Sequence, residues 1–164
     1  MHPSDILSQE HRAIEGRLDH LEQTIRSIQA GGAFSRRYFE DALDFFRDQA
    51  DGCHHAKEEK LLFPRMVERG VPAHGGPIGV MLAEHDEGRA YLKAVRENLT
   101  GAEQGAVAAL NAVLQNAAAY IEMLRAHIQK EDNILFRIAK MVLDPSDVAE
   151  LQQAFAEVGQ IPVA

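Results

Sequence analysis

Two pairs of short segments in this 164-residue sequence repeat one another and carry metal-binding residue types. Glu10-His11 has a counterpart in Glu84-His85, 74 positions later. His54-His55-Ala56-Lys57-Glu58-Glu59 has one in His127-Ile128-Gln129-Lys130-Glu131-Asp132, 73 positions later. Each half therefore offers one histidine on a first segment and a His-x-x-x-Glu on a second. Four residues carry a helix about 40° past one turn, so that His and Glu share a face and one ion can meet both. Imidazole suits Zn, Cu, Ni and Fe, whereas carboxylates favour harder ions of higher coordination number. A structural zinc wants one closed tetrahedron, commonly with cysteine. Six mixed nitrogen and oxygen donors fit two six-coordinate irons better, ahead of Fe/Mn or Fe/Zn mixtures.

The elements that must position these residues are helices. Breaks fall at Gly31-Gly32, at Gly70 through Pro77, at Asn98 through Gly105 and at Asp144-Pro145. Ser35 is placed to cap a helix, and Pro77 suits a first turn, where its missing N–H costs nothing. Between breaks the apolar period is helical: Leu7, His11, Ile14, Leu18, Leu21, Ile25 and Ile28 step by four and three, a bundle seam with one histidine set into it. Pro64 predicts a kink or an end, because proline removes a helical hydrogen bond. The expected fold is all-α: an antiparallel up-down-up-down four-helix bundle over residues 1–143, with a short fifth helix and tail over 144–164 packed on it.

Antiparallel neighbours share a level when they lie equally far from their connecting turn. The midpoint of positions 11 and 54 is 32.5, beside Gly31-Gly32; that of 54 and 85 is 69.5, beside Gly70; that of 85 and 127 is 106, beside Gly105. Three turns thus set His11, His54, His85 and His127 at one height. At about 100° per residue, His54 shares a side with Leu43, Ala50 and Leu61, and His85 with Ile78, Met81, Leu92 and Leu99. His55 falls with Asp41, Asp44, Asp48 and Asp51, so His55 and Glu59 are expected in solvent. A lone histidine on an apolar seam is usually a core residue. Four at one level beside two inward glutamates point to a ligand set, because a carboxylate is rarely buried without a partner. His2, His20 and His74 have no place in this constellation and are expected at the surface.

Composition narrows the partners. The net charge is −8, aromatics are 6 % and tryptophan is absent. No basic stripe appears, and Arg36-Arg37 reads as a solvated pair, which argues against a nucleic-acid partner. Cys53, the single cysteine, cannot form an internal disulfide, so a reducing compartment is the simplest expectation. The amino terminus lacks a basic region followed by an apolar stretch, and no apolar run approaches a membrane span. The expectation is a soluble, cytoplasmic protein without a membrane partner.

The residues that carry the repeat also carry a resemblance. His11, His54-His55-Ala56-Lys57-Glu58-Glu59 with Leu62-Phe63-Pro64, Glu84-His85 and His127-Ile128-Gln129-Lys130-Glu131 resemble the signature of the hemerythrin-like (HHE) cation-binding domain, from about Leu7 to Ile138. The resemblance implies a helical bundle holding two iron ions under an oxo or hydroxo bridge. It makes His11, His54, His85 and His127 terminal ligands and Glu58 and Glu131 bridging carboxylates. Oxygen-carrying hemerythrins have five histidines, the second on the third helix lying four residues along, and an Asp as last carboxylate. Here Arg89 and Glu131 stand at those places. Of twelve positions on two octahedral irons this leaves two open, against one with a fifth histidine. Glu15 is a candidate to close one of them; Tyr120 is a candidate neighbour, phenolate ligand or core residue; Cys53 is a buried small residue or a redox thiol. Three functions follow as expectations. The first is binding or sensing of O2, NO or redox state; the second is an oxidoreductase acting on NO or peroxide; the third is iron storage or donation. A redox partner is implied but not named by the sequence.

Overall fold

The structure is a computed structural model and describes residues 1–162; the last two residues of the segment 144–164 lie outside the described residues. The chain forms five helical rods, and no strand occurs among the described residues. We number them α1 (Pro3–Gln29), α2 (36–68), α3 (Pro77–Glu103), α4 (Val107–Val142) and α5 (Pro145–Val158). The predicted punctuation recurs at the turns. Ser35 accepts a hydrogen bond from the Tyr38 N–H, and Gly31, Gly70 and Gly105 adopt positive φ, the conformation that glycine takes most cheaply. The third break is shorter than predicted. Helix α3 continues through Gly101, where an added Cβ would lie 2.7 Å from that of Ala109 on α4. The glycine serves a close helix approach rather than a turn.

Cross-helix pairs follow one order. Asp5 meets Lys140 and Glu22 meets Arg125 between α1 and α4; Asp44 meets Arg96 and Asp51 meets Arg89 between α2 and α3. Rising numbers on one rod match falling numbers on the other. Two apolar clusters fill the interior. One runs from Ile14 to Ile28 on α1 and includes Phe39, Phe46, Val95, Val113 and Leu124; the other joins Leu7, Leu62, Phe63, Met66, Ile78 and Phe136 to Leu151 and Phe155 of α5. Each such side chain contributes about 1.5–3 kcal/mol when withdrawn from water. His11 sits between the clusters along α1, so a polar layer separates them. Helix α5 is fastened by Asp144 and Asp147, which form a reciprocal cap, and by Arg65 and Arg69, both bonded to Asp147 at 2.7 Å.

Helix α4 contains an 18-residue window of mean hydropathy 1.2, long and apolar enough by composition to cross a membrane, contrary to the sequence expectation. Its large apolar residues Val113, Ile121, Leu124 and Ile128 pack into the bundle.

Helix α2 does not break at Pro64. It passes through two π-helical stretches, Phe46–His55 and Glu58–Leu62, before resuming as Phe63–Glu68. A third π turn, Glu131–Leu135, interrupts α4. Their signature is the i→i+5 bond: the Ala56 N–H reaches the Asp51 carbonyl, that of Phe63 reaches Glu58, and that of Phe136 reaches Glu131. Proline is not the cause in α4, where Arg137 stands at the place of Pro64. Such turns are rare and concentrate at functional sites.

Candidate metal centre

Both π turns of five residues begin at the glutamates singled out by the repeat, Glu58 and Glu131. Both carboxylates are wholly buried, and none of their four oxygens has a hydrogen-bond partner. Leaving such groups bare is expensive. Around them stand the imidazoles. Glu58 turns Oε1 to His54 Nε2 (3.2 Å) and Oε2 to His85 Nε2 (3.4 Å). Glu131 turns Oε2 to His11 Nε2 (3.2 Å) and Oε1 to His127 Nε2 (3.2 Å). Each glutamate thus presents one oxygen to the His11/His54 side and the other to the His85/His127 side. The Nε2 atoms of His11 and His54 are also unpartnered. Those of His85 and His127 approach to 3.1 Å. Two nitrogens bound at right angles about 2.1 Å from one ion stand roughly 3 Å apart. The donor atoms of His11, His54, Glu58 and Glu131 all lie within 4.8 Å of one another, as do those of His55, Glu58, His85 and His127. Orphaned buried donors facing one another fit metal ions as their missing partners.

The opposite ring nitrogens are fully used. Glu10 of α1 accepts from His54 Nδ1 of α2 (2.9 Å), Glu59 of α2 from His85 of α3 (2.7 Å), Glu84 of α3 from His127 of α4 (2.9 Å), and Asp132 of α4 from His11 of α1 (2.8 Å). The four bonds close a ring round the bundle. Each carboxylate is also held by a cation on the helix that carries its histidine: Lys57, Arg89, Lys130 and Arg12 respectively. A carboxylate on Nδ1 fixes the tautomer and leaves the Nε2 lone pair directed inward, the usual support of a metal-bound imidazole. Phe136 and Phe63, another repeated pair, stack on His11 (5.5 Å) and His85 (6.3 Å).

Charges follow from these contacts. Burial opposes ionisation of Glu58, but His54 and His85 hold its carboxyl well below the usual carboxylate range. Burial and Glu58 work against ionisation of Glu131, yet His127 and His11 keep it lowered. Burial disfavours charge on His54 and His127 too. Glu58 and Glu10 nevertheless raise His54 to about 9, and Glu131 and Glu84 raise His127 to about 10. In the metal-free chain protons therefore occupy these imidazoles and, standing where an ion would, pair them with the otherwise bare oxygens of Glu58 and Glu131 across 3.2 Å.

The sequence reading of His55 and Glu59 as solvated is corrected. His55 is 5 % exposed and stacks on His85, with ring centroids 3.9 Å apart, while Glu59 holds the His85 ring. The error lies in the wheel: the π stretch Phe46–His55 adds residues per turn and rotates His55 off the face of Asp44 and Asp48. Burial and the neighbouring His85 push the His55 imidazole down to about 3, so it is neutral. Glu15 lies away from the donors and pairs with Arg12 (2.9 Å). Arg89 binds Asp51, Glu59 and Asp86. Tyr120 packs edge-on to Phe46 (5.0 Å), and burial with Asp51 pushes its phenol up, so it remains protonated. It lines a small cavity with Asp51, His55, His85, Gly88 and Arg89. The Cys53 thiol is buried, donates to the Gly159 carbonyl (3.6 Å), and is shifted up by burial. His20 and His74 are exposed, whereas His2 is half-buried and caps α1 by accepting from the Ser4 N–H. The supporting residues Glu10, Glu84, Lys57, Lys130 and Asp132 went unread in the sequence, although the repeat contains every one of them.

Comparison with known proteins agrees with this chemistry. The hemerythrin HHE cation binding domain matches residues 2–139. An iron-sulfur cluster repair protein YtfE of Edwardsiella ictaluri is 32 % identical over 132 residues, covering 78 % of this chain and 58 % of that protein. The YtfE of Yersinia pseudotuberculosis is 40 % identical over 87 residues, covering 51 % and 38 % respectively. An uncharacterized protein of Mycobacterium bovis is 23 % identical over 155 residues, covering 94 % and 60 %. The chain thus spans at most about 60 % of the length of these relatives.

Proposed function

The chain belongs to the hemerythrin HHE cation-binding family, and from that premise we propose that it binds or senses O2, NO or redox state at a centre of two iron ions. One ion is assigned to His11 and His54, the other to His85 and His127, with Glu58 and Glu131 shared between them. The observation that carries this reading is the division of each glutamate, whose two oxygens face different histidine pairs. Two irons held there would supply a redox pair with affinity for small diatomic ligands. The chain's own residues do the rest. The ring of Nδ1 bonds fixes the imidazoles, the apolar clusters on either side exclude bulk water, and Arg12, Lys57, Arg89 and Lys130 balance the carboxylate charge. The cross-helix pairs support an up-down-up-down order for α1–α4, with 144–164 as an appended segment. The unpaired Cys53 is in keeping with a reducing, cytoplasmic setting. Elemental analysis of anaerobically purified chain, with spectra of its reduced and oxidised forms, tests the assignment. About two irons per chain are expected; one zinc, with no iron after reconstitution, overturns it.

A second reading is favoured by the relatives named for iron-sulfur cluster repair. In it the same centre donates iron. Transfer of iron to an apo-acceptor faster than to a chelator of equal affinity would support donation, and a reversible ligand adduct without iron loss would support binding.

A further inference from the structure

We propose that His55 is a fifth histidine ligand, binding the ion assigned to His85 and His127; the inference rests on the two-metal reading above. Its support repeats that of the other four. His55 Nδ1 faces Asp51 Oδ1 at 3.3 Å, and Asp51 is gripped by Arg89 through Nε (3.0 Å) and Nη2 (2.8 Å). Every imidazole of the centre thus shows the same arrangement, a ring nitrogen on a carboxylate that a cation holds from behind. A donor atom of His55 lies within 4.8 Å of donors on Glu58, His85 and His127, all four residues buried. The repeat supplies the control. Position 128, the counterpart of 55, is isoleucine, buried in the apolar cluster. The fold therefore needs only an apolar side chain there, and a buried imidazole pays a desolvation cost that packing does not require.

Arg89 gains a role from this assignment. It stands where the oxygen carriers place their fifth histidine, yet a guanidinium has no lone pair for a metal. Here it holds both Asp51 and Glu59, and so aims both His55 and His85. The fifth histidine comes from α2, turned inward by the π stretch that ends on it. The count of open positions falls from two to one, and the open position lies on the ion assigned to His11 and His54.

The test is His55→Phe, which keeps a flat ring against His85 and removes the nitrogen. Wild-type chain loaded anaerobically with 57Fe is expected to hold two irons and to show two Mössbauer doublets of equal area. His55→Phe is expected to bind its second iron at least tenfold more weakly in competition with a chromogenic chelator. At full loading its two doublets should converge, and NO should bind both irons instead of one. Asp51→Asn, which keeps the imidazole but weakens its support, should lose about 10- to 100-fold in affinity for the same ion. A His55→Phe chain with wild-type affinity for both irons and unchanged doublets shows a stacking role and overturns the proposal. Should that variant fail to fold, a single wild-type doublet does so. Wild-type chain that binds fewer than two irons overturns the two-metal reading, and this one with it.

Discussion

Glu10 with Lys57 and Glu84 with Lys130 occupy matching places in the two halves, yet their surroundings differ. Side chains of the first pair are 3 % and 0 % exposed; those of the second are 17 % and 39 %. The first pair is enclosed by the segment after α5: Lys57 Nζ donates to the Gly159 carbonyl (2.8 Å), and the Ile161 N–H donates to Glu10 (3.2 Å). The second pair opens towards solvent. Duplicated sequence thus sets the donors, and unduplicated sequence sets what surrounds them. The pair behind His54 is sealed, whereas Asp132 and Arg12 behind His11 reach solvent; the His85/His127 side carries the small cavity, His55 and Arg89.

The largest expected effect abolishes the distinction. Glu58→Ala removes an oxygen from both sides at once, so elemental analysis should find both ions lost, whereas His11→Ala should lose chiefly one. Loss of a single ion from Glu58→Ala would show that the carboxylate is not shared.

Next comes the contrast in burial. Lys57→Ala leaves the buried Glu10 carboxylate only His54 and the Ile161 N–H as partners and is expected to cost about 3 kcal/mol, the low end for a broken buried pair. Lys130→Ala breaks a half-exposed pair and should cost about 0–1 kcal/mol. Chemical denaturation of the two variants measures both, and equal costs would dissolve the comparison. Such a pair can be weak as a net stabiliser and still be costly to break.

Protons sharpen the comparison further. Without metal, His54 titrates at about 9 and His127 at about 10. Below those values a proton occupies each imidazole and competes with the ion; raising the pH removes it. Each side's apparent metal affinity should therefore rise about tenfold per pH unit from pH 7, levelling near 9 on the His54 side and near 10 on the other. Calorimetry in buffers of different ionisation enthalpy should find protons released on metal binding at pH 7 and fewer released above pH 10. An affinity flat between pH 7 and 9 would refute this.

The smallest effect is at Glu15, the counterpart of Arg89. The two positions carry opposite charges, and each pairs three residues away along its own helix, Glu15 with Arg12 and Arg89 with Asp86. Glu15→Gln should change stability by no more than about 0.5 kcal/mol and leave metal content intact.

Much of this was legible in the sequence. The seam of α1, the level of the four histidines and the inward glutamates follow from spacing alone, because a straight helix obeys one period. His55 was misplaced where that period fails, between Phe46 and Leu62, and no residue type announces a π stretch. The supporting ring was written in the repeat, in Glu10 and Glu84, Lys57 and Lys130, Glu59 and Asp132. Its recognition required knowing which helices adjoin. The contacts of Gly159 and Ile161 with Lys57 and Glu10 have no periodic trace, since they arise from an irregular segment.

The π stretch Phe46–His55 has a genetic corollary. Its extra residues are held in place by helix on both sides, so the reading frame of the metal site is counted in whole codons. Replacing exposed Asp48 alters one side chain and leaves the count unchanged. Removing its codon would let the stretch relax to α spacing, with His54, His55 and Glu58 all still encoded. A wide turn closed by an i→i+5 bond holds about one residue more than an α turn, so the relaxation absorbs the loss, and Phe39 and Leu43 stay in the core while His54 and Glu58 stay at the centre. The gene should accordingly tolerate the loss of three nucleotides here far better than in the regular helix of α1, where one residue lost turns everything before it by about 100°.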